Sequence, residues 1–271
     1  MGQEQRSFAT LWGIIHYWVS RCREDSPWLV FLPGLTADHR LFDGQIKVLG
    51  KHCHCLSWDA PAHGESRPFT LAFSMEDKAE FLHSILEREG VTAPVLIGQS
   101  MGGYLAQMYM SKYPGSVRGF VSIDSCPLQR MYYTAIELYL LKHTKGMYLL
   151  FPWKLLQKAG SAGCAETPYG RAQMLRMMSS YEKEEYCALA AHGYRMLAEA
   201  VEMERDYHIS CPALLLCGEK DAAGSAKRYN RQWTKREGIP LVWVKGAGHN
   251  SNTDDIEFVN AQIGQFVQGI V

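Results

Sequence analysis

Val-Leu-Ile-Gly-Gln-Ser-Met-Gly-Gly, residues 95–103, decides the reading of this chain, because an apolar β-branched run leads straight into a serine flanked by small residues. In the G-x-S-x-G pattern of Gly98, Ser100 and Gly102 the missing side chains let a strand and the next helix approach closely. They also tolerate a strained turn that lifts the serine hydroxyl clear of the backbone. The flanks supply the required context. The run ending at Ile97 is bounded by Pro94 and Gly98 and reads as a strand, while residues 104–112 carry helix formers and stop at Tyr113-Pro114-Gly115. The motif alone leaves open an ordinary glycine-rich turn; with its flanks it makes Ser100 a candidate nucleophile.

A serine hydroxyl is a weak nucleophile at neutral pH, so it needs a base within hydrogen-bond reach and a third group that fixes the base's tautomer. After the apolar run 213–217 comes Gly218-Glu219-Lys220-Asp221, and after the run 241–244 comes Gly246-Ala247-Gly248-His249. Each places a polar residue in the loop at a strand's carboxyl end. The order Ser100, Asp221, His249 is that of serine, acid and histidine in one fold class. Asp124 also ends a strand-like run and competes as the acid; otherwise it is expected to cap the start of the helical segment that follows.

Outward from this core, residues 13–20 and 28–32 read as two strands joined by the polar segment 21–27, which predicts a hairpin. Further strands are expected at 54–58, 95–97, 117–123, 213–217 and 241–244, with helices at 74–89, 104–112, 225–236 and 254–267. Strands alternating with helices imply an α/β fold with a mostly parallel central sheet flanked by helices. Between 125 and 210 the strand signal disappears in favour of helix formers, aromatics and methionines: Tyr132, Tyr133, Tyr139, Met147, Tyr148, Phe151, Trp153, Met174, Met177 and Met178. The expected organisation is a core of residues 1–124 and 211–271 interrupted by a helical cap insertion, 125–210, whose apolar underside shapes the substrate pocket.

These motifs resemble those of the α/β-hydrolase superfamily, in its serine-nucleophile, cap-containing branch, from about residue 11 to the C-terminus. The resemblance implies the α/β-hydrolase fold, with Ser100 as nucleophile, His249 as general base and Asp221 as triad acid. The oxyanion would be held by two backbone amides, Met101 after the nucleophile and Leu35 in Pro33-Gly34-Leu35, which is similar to the family's His-Gly-x segment with proline in place of histidine. Asp59-Ala60-Pro61-Ala62-His63-Gly64-Glu65-Ser66 resembles the family's Asp-x-x-Gly-His-Gly-x-Ser loop, with Ala62 replacing glycine; its implied role is architectural.

Composition narrows the field. The 271 residues hold 28 Lys plus Arg and 28 Asp plus Glu, so no net field favours nucleic acid or an anionic membrane. Eight cysteines are scattered, several in apolar runs, as expected for reduced thiols in a cytoplasmic protein. Residues 11–19 are apolar, but His16, Tyr17 and Trp18 suit a strand better than a signal peptide. No run reaches a membrane-spanning length, and Arg6 stands where a myristoylation signal wants serine or threonine. His52-Cys53-His54-Cys55 is rich in ligand types, yet neighbours on a strand face opposite ways and cannot close a tetrahedral site, so no metal and no cofactor are expected.

Serine at this position argues against the branches that open epoxides or displace halide, which resemble this fold but carry aspartate there. Acyl chemistry remains: hydrolysis of a carboxylic ester or a related lactone, thioester or amide through an acyl-enzyme. Carbon–carbon bond hydrolysis of a diketone on the same triad and a non-catalytic small-molecule receptor are the alternatives. The cap's composition suits a small molecule with an apolar acyl or aryl part. Glu166, Glu182 and Glu199 are the cap's candidates for recognising an amine. The particular substrate and the oligomeric state are left open.

Overall fold

The computed structural model describes residues 2–144 and 149–270. Its strands are β1 (Glu4–Ala9), β2 (Ile14–Ser20), β3 (Trp28–Leu32), β4 (His54–Trp58), β5 (Val95–Gln99), β6 (Gly119–Ile123), β7 (Ala213–Gly218) and β8 (Leu241–Val244). They form one sheet in the order β1-β2-β4-β3-β5-β6-β7-β8. All pairings from β4 through β8 are parallel, whereas β2 runs antiparallel to both β1 and β4. β3, β4, β5 and β6 are buried along their whole length, as strands covered by helices on both faces must be.

The expected hairpin between 13–20 and 28–32 does not form. β2 pairs with β1 instead, Ile14 lying opposite Ala9 and Val19 opposite Glu4, and β4 separates β2 from β3. Trp-Leu-Val-Phe-Leu is apolar on both faces and belongs inside a parallel sheet. β1 gave no clear signal because Glu-Gln-Arg-Ser-Phe-Ala is a mostly exposed edge strand.

Local rules explain the helix bounds. Helix Met75–Arg88 starts on a capping box: Ser74 Oγ accepts from the Asp77 amide at 3.1 Å and the Asp77 carboxylate accepts from the Ser74 amide at 2.7 Å. Helix Ala226–Glu237 stops at Gly238, whose φ of 70° closes the last turn. The C-terminal helix is preceded by a separate short turn, Ser251–Asp254 and then Ile256–Ile270, rather than running unbroken from 254.

Between β6 and β7 the described residues form helices only: Ala135–Lys142, Trp153–Cys164, Pro168–Met178 and Lys183–Glu202, with a short 3-10 turn at Arg130–Tyr132. Of the apolar residues expected there, Tyr132, Tyr133, Met174, Met177 and Met178 are buried, Trp153 is partly buried, and Tyr139 and Phe151 are exposed. Met147 and Tyr148 lie outside the described residues. Among the described residues no helix is long and apolar enough to cross a membrane, and all eight cysteines are free.

Candidate active site

β5 delivers Ser100 at its carboxyl end with φ 50° and ψ −117°, a strained conformation for a residue with a side chain. The helix begins at once with Met101, not at 104, so Ser100 occupies the N-cap position and sits at the positive end of Met101–Lys112. The glycines have a measurable reason. A Cβ on Gly98 would lie 2.5 Å from the Gly102 carbonyl, and one on Gly102 would lie 1.8 Å from the Leu32 carbonyl oxygen. Strand and helix can touch only if both positions lack side chains.

The loops after β7 and β8 bring Asp221 and His249 to this turn. His249 Nε2 stands 2.8 Å from Ser100 Oγ, and His249 Nδ1 stands 3.1 Å from each carboxylate oxygen of Asp221. Asp221 is buried, and its Oδ1 also accepts from the Ala223 amide at 2.8 Å. Burial works against the imidazolium, but the charge and hydrogen bond of Asp221, with the charge of Asp124, outweigh it and hold the His249 pKa above 6.5. Small residues let the two loops pack: a Cβ on Gly218 would lie 2.0 Å from the Gly248 carbonyl oxygen.

Asp124 makes no hydrogen bond to His249, nor does it cap the helical segment. Its Oδ1 accepts from the Gly218 amide at 2.6 Å and its Oδ2 from the Ser251 amide at 2.8 Å, so one carboxylate clasps the loops that carry Asp221 and His249. Burial, then the charge of Asp221, pushes its pKa up to about 7. Two further supports carried no signal of their own in the sequence. Gln99 Nε2 donates to the His249 carbonyl at 2.8 Å and to Asn250 Oδ1 at 3.1 Å. Asp254 accepts from the amides of Gly248, Glu166 and Thr167 at 2.8, 2.9 and 2.8 Å, joining the histidine loop to the helical segment. Gln99 adjoins the motif, but its partner is 150 residues away.

Gly34 lies against the elbow: a Cβ there would fall 2.3 Å from Gln99 Oε1 and 3.1 Å from Ser100 Cβ. Leu35 follows it, and its side chain packs on Gly193 of helix Lys183–Glu202. Neither the Leu35 amide nor the Met101 amide donates to an acceptor among the described residues. Asp59 organises the neighbouring loop, accepting from the His39 amide at 2.7 Å and from the Glu65 amide at 2.6 Å, while Ser66 Oγ donates to the Asp59 carbonyl at 2.7 Å. Ala62 adopts φ 68°, where glycine would be unstrained. His63 is buried with Nδ1 2.9 Å from the Pro61 carbonyl.

Asp124, Cys217 and Asp221 converge closely enough to ligate a cation. The carboxylates are already engaged, and burial first, then the charges of Asp124 and Asp221, pushes the Cys217 thiol far up, so the group offers no ready thiolate. In the stretch 52–55, His54 Nδ1 accepts from the Cys22 amide at 2.9 Å and its ring stacks on Trp28 at 4.7 Å. Of the three acidic residues singled out between 125 and 210, Glu182 and Glu199 are exposed, and Glu166 lies 3.6 Å from Lys220 and 3.8 Å from Arg171.

Residues 29–262 match the family described as the alpha/beta hydrolase family. The chain belongs to the alpha/beta hydrolase family. The eight-stranded sheet with its flanking helices is the α/β-hydrolase fold. Among curated relatives, this alpha/beta hydrolase is 23% identical over 255 residues to a 2-(acetamidomethylene)succinate hydrolase of Mesorhizobium japonicum, covering 91% of this chain and 90% of that protein. It is 30% identical over 122 residues to a monoacylglycerol lipase of Xenopus laevis, covering 44% of this chain and 35% of the lipase. Among solved structures, a thermophilic esterase from Thermogutta terrifontis superposes with a TM-score of 0.77 at 19% identity, covering 100% of this chain and 99% of the esterase. That likeness concerns the fold.

Proposed function

We propose that this alpha/beta hydrolase cleaves a carboxylic ester or related acyl compound through a Ser100, His249, Asp221 triad. The unbroken relay from Ser100 Oγ through His249 to Asp221, at 2.8 and 3.1 Å, is the observation that carries this reading. His249 takes the Ser100 proton as Oγ attacks the acyl carbon, and Asp221 stabilises the imidazolium that forms. The tetrahedral oxyanion is received by the amides of Leu35 and Met101, with the N-terminus of Met101–Lys112 adding its dipole. His249 then protonates the leaving alcohol. A water deprotonated by His249 attacks the acyl-enzyme, and the proton returns to Ser100 as the acid departs.

On this reading residues 125–210 act as the cap over a core of 1–124 and 211–271. Contacts between the two support that role: Gly193 touches Leu35, Met174 Sδ accepts from Asn250 Nδ2 at 3.8 Å, and Met177 Sδ accepts from the Asp38 amide at 3.4 Å. These apolar, adaptable side chains suit a small molecule with an apolar acyl or aryl part. Eight free cysteines fit a reducing compartment such as the cytoplasm.

A fluorophosphonate probe tests the nucleophile. The expected result is stoichiometric labelling of the folded protein at Ser100 and none of Ser100→Ala; unlabelled, folded wild type would overturn the proposal. A panel of p-nitrophenyl esters of increasing chain length, run beside β-diketones, then reads the bond type. Turnover confined to diketones would replace ester hydrolysis by carbon–carbon cleavage.

A further inference from the structure

Helix Met75–Arg88 buries a lysine in its first full turn. Lys78 is 3% exposed, and among the described residues its ammonium has neither a hydrogen-bond acceptor nor a carboxylate partner. Every buried acid contrasts with it. Glu89 receives Tyr17 Oη at 2.8 Å and Arg21 at 3.2 Å, Asp38 is paired with Arg40, and Asp59 binds His39. Asp124 holds two amides and Asp221 holds His249. A buried cation without a counter-ion is costly, and a position close to the positive end of a helix adds to that cost.

The surroundings tell what such a charge could meet. Lys78 acts on His63, from the loop after β4, and on His192, from helix Lys183–Glu202. Burial, reinforced by Lys78 itself, lowers the pKa of both, that of His63 to about 3, so both imidazoles are neutral at pH 7. Burial also lowers Lys78, to about 8, which leaves the ammonium mostly charged at that pH. His192 Nε2 lies 2.9 Å from the Phe73 carbonyl, and its neighbour Gly193 packs on Leu35, beside Gly34 and Ser100. Helix Met75–Arg88 packs against helix Lys183–Glu202, and that second helix touches the proposed oxyanion loop through Gly193 and Leu35.

We infer that Lys78 receives a carboxylate carried by the substrate, so that the preferred substrate is an anionic ester or related acyl compound with a free carboxylate away from the scissile bond. The inference rests on the acyl-hydrolase reading above and gives its substrate class. A single ammonium with three donors suits one carboxylate, and pairing removes the cost of the lone buried charge when substrate binds. Lys78 is a specificity-determining residue here and takes no part in the bond-making steps.

The test compares 4-nitrophenyl butyrate with mono-4-nitrophenyl glutarate, which differs by its terminal carboxylate, in wild type, Lys78→Met and Lys78→Gln. Wild type is expected to favour the glutarate ester in kcat/KM, and the ratio between the two esters is expected to fall roughly tenfold or more in both variants. Free glutarate should raise the melting temperature of wild type and not that of Lys78→Met, while Lys78→Met without ligand should melt higher than wild type because the lone charge is gone. An unchanged ester ratio in the variants, or no stabilisation of wild type by glutarate, overturns the inference. Failure of wild type to turn over either ester counts against the hydrolase reading instead, and the glutarate shift then decides Lys78 independently.

Discussion

Replacing Asp221 by Asn is the sharpest test of the relay. The Ala223 amide donates to Oδ1 at 2.8 Å, so the new amide oxygen keeps that position and the NH2 group takes the place of Oδ2, 3.1 Å from His249 Nδ1. An NH2 group can only donate there. The retained Oδ1 also lies 3.1 Å from Nδ1, but it is now uncharged and already bonded to the Ala223 amide, so the NH2 group biases the imidazole proton onto Nε2, which faces Ser100 Oγ at 2.8 Å, and most of the base is lost. The imidazolium also loses the anion that holds its pKa above 6.5. Together these are expected to lower kcat by roughly 10,000-fold, about 5.5 kcal/mol of transition-state stabilisation. Steady-state kinetics on a chromogenic ester reads this loss, with circular dichroism checking that the nearly isosteric variant folds. Wild-type kcat/KM should fall with acid along a limb whose midpoint lies above pH 6.5, because the base must be neutral, and the residual activity of Asp221→Asn should shift that limb to lower pH. Retention of more than a tenth of kcat/KM in Asp221→Asn, or a larger loss in Asp124→Asn, would refute the assignment of the acid.

Three further substitutions test the surrounding framework. Asp124→Asn replaces one acceptor with a donor facing the Gly218 or Ser251 amide and should destabilise the fold by about 1–3 kcal/mol, seen in urea unfolding at pH 5. Its raised folded pKa of about 7, against 3.8 for the free group, gives stabilisation that is complete below pH 3.8 and lost as pH rises through 7, so the melting temperature of wild type should fall more between pH 5 and 8 than that of the variant. Gly102→Ala puts a methyl 1.8 Å from the Leu32 carbonyl oxygen and should cost roughly 3 kcal/mol or more by thermal unfolding, with little soluble protein. Asp254→Ala leaves the Gly248, Glu166 and Thr167 amides without their acceptor and should lower kcat through a loosened His249 loop, read as a kcat loss larger than any change in KM.

Short-range pattern carries much of the fold. Gly98 is dictated by a contact four residues away, at Gly102, and the alternation of apolar strands with helices follows from periodicity, so the elbow, the parallel part of the sheet and the order of Ser100, Asp221 and His249 are legible in one dimension. Even the capping box at Ser74 and the stop at Gly238 are written in neighbouring residues. Other features depend on partners far away in the chain and emerge only on folding. The tertiary structure moved the hairpin to β1 and β2, because a polar edge strand announces itself only by the neighbour it pairs with. It turned Asp124 away from His249 and onto two loop amides 94 and 127 residues distant, a choice between equivalent strand-end carboxylates that no local pattern contains. Among the described residues it also left Lys78 as a buried charge with no partner, which is visible only once burial and the positions of the acids are known together.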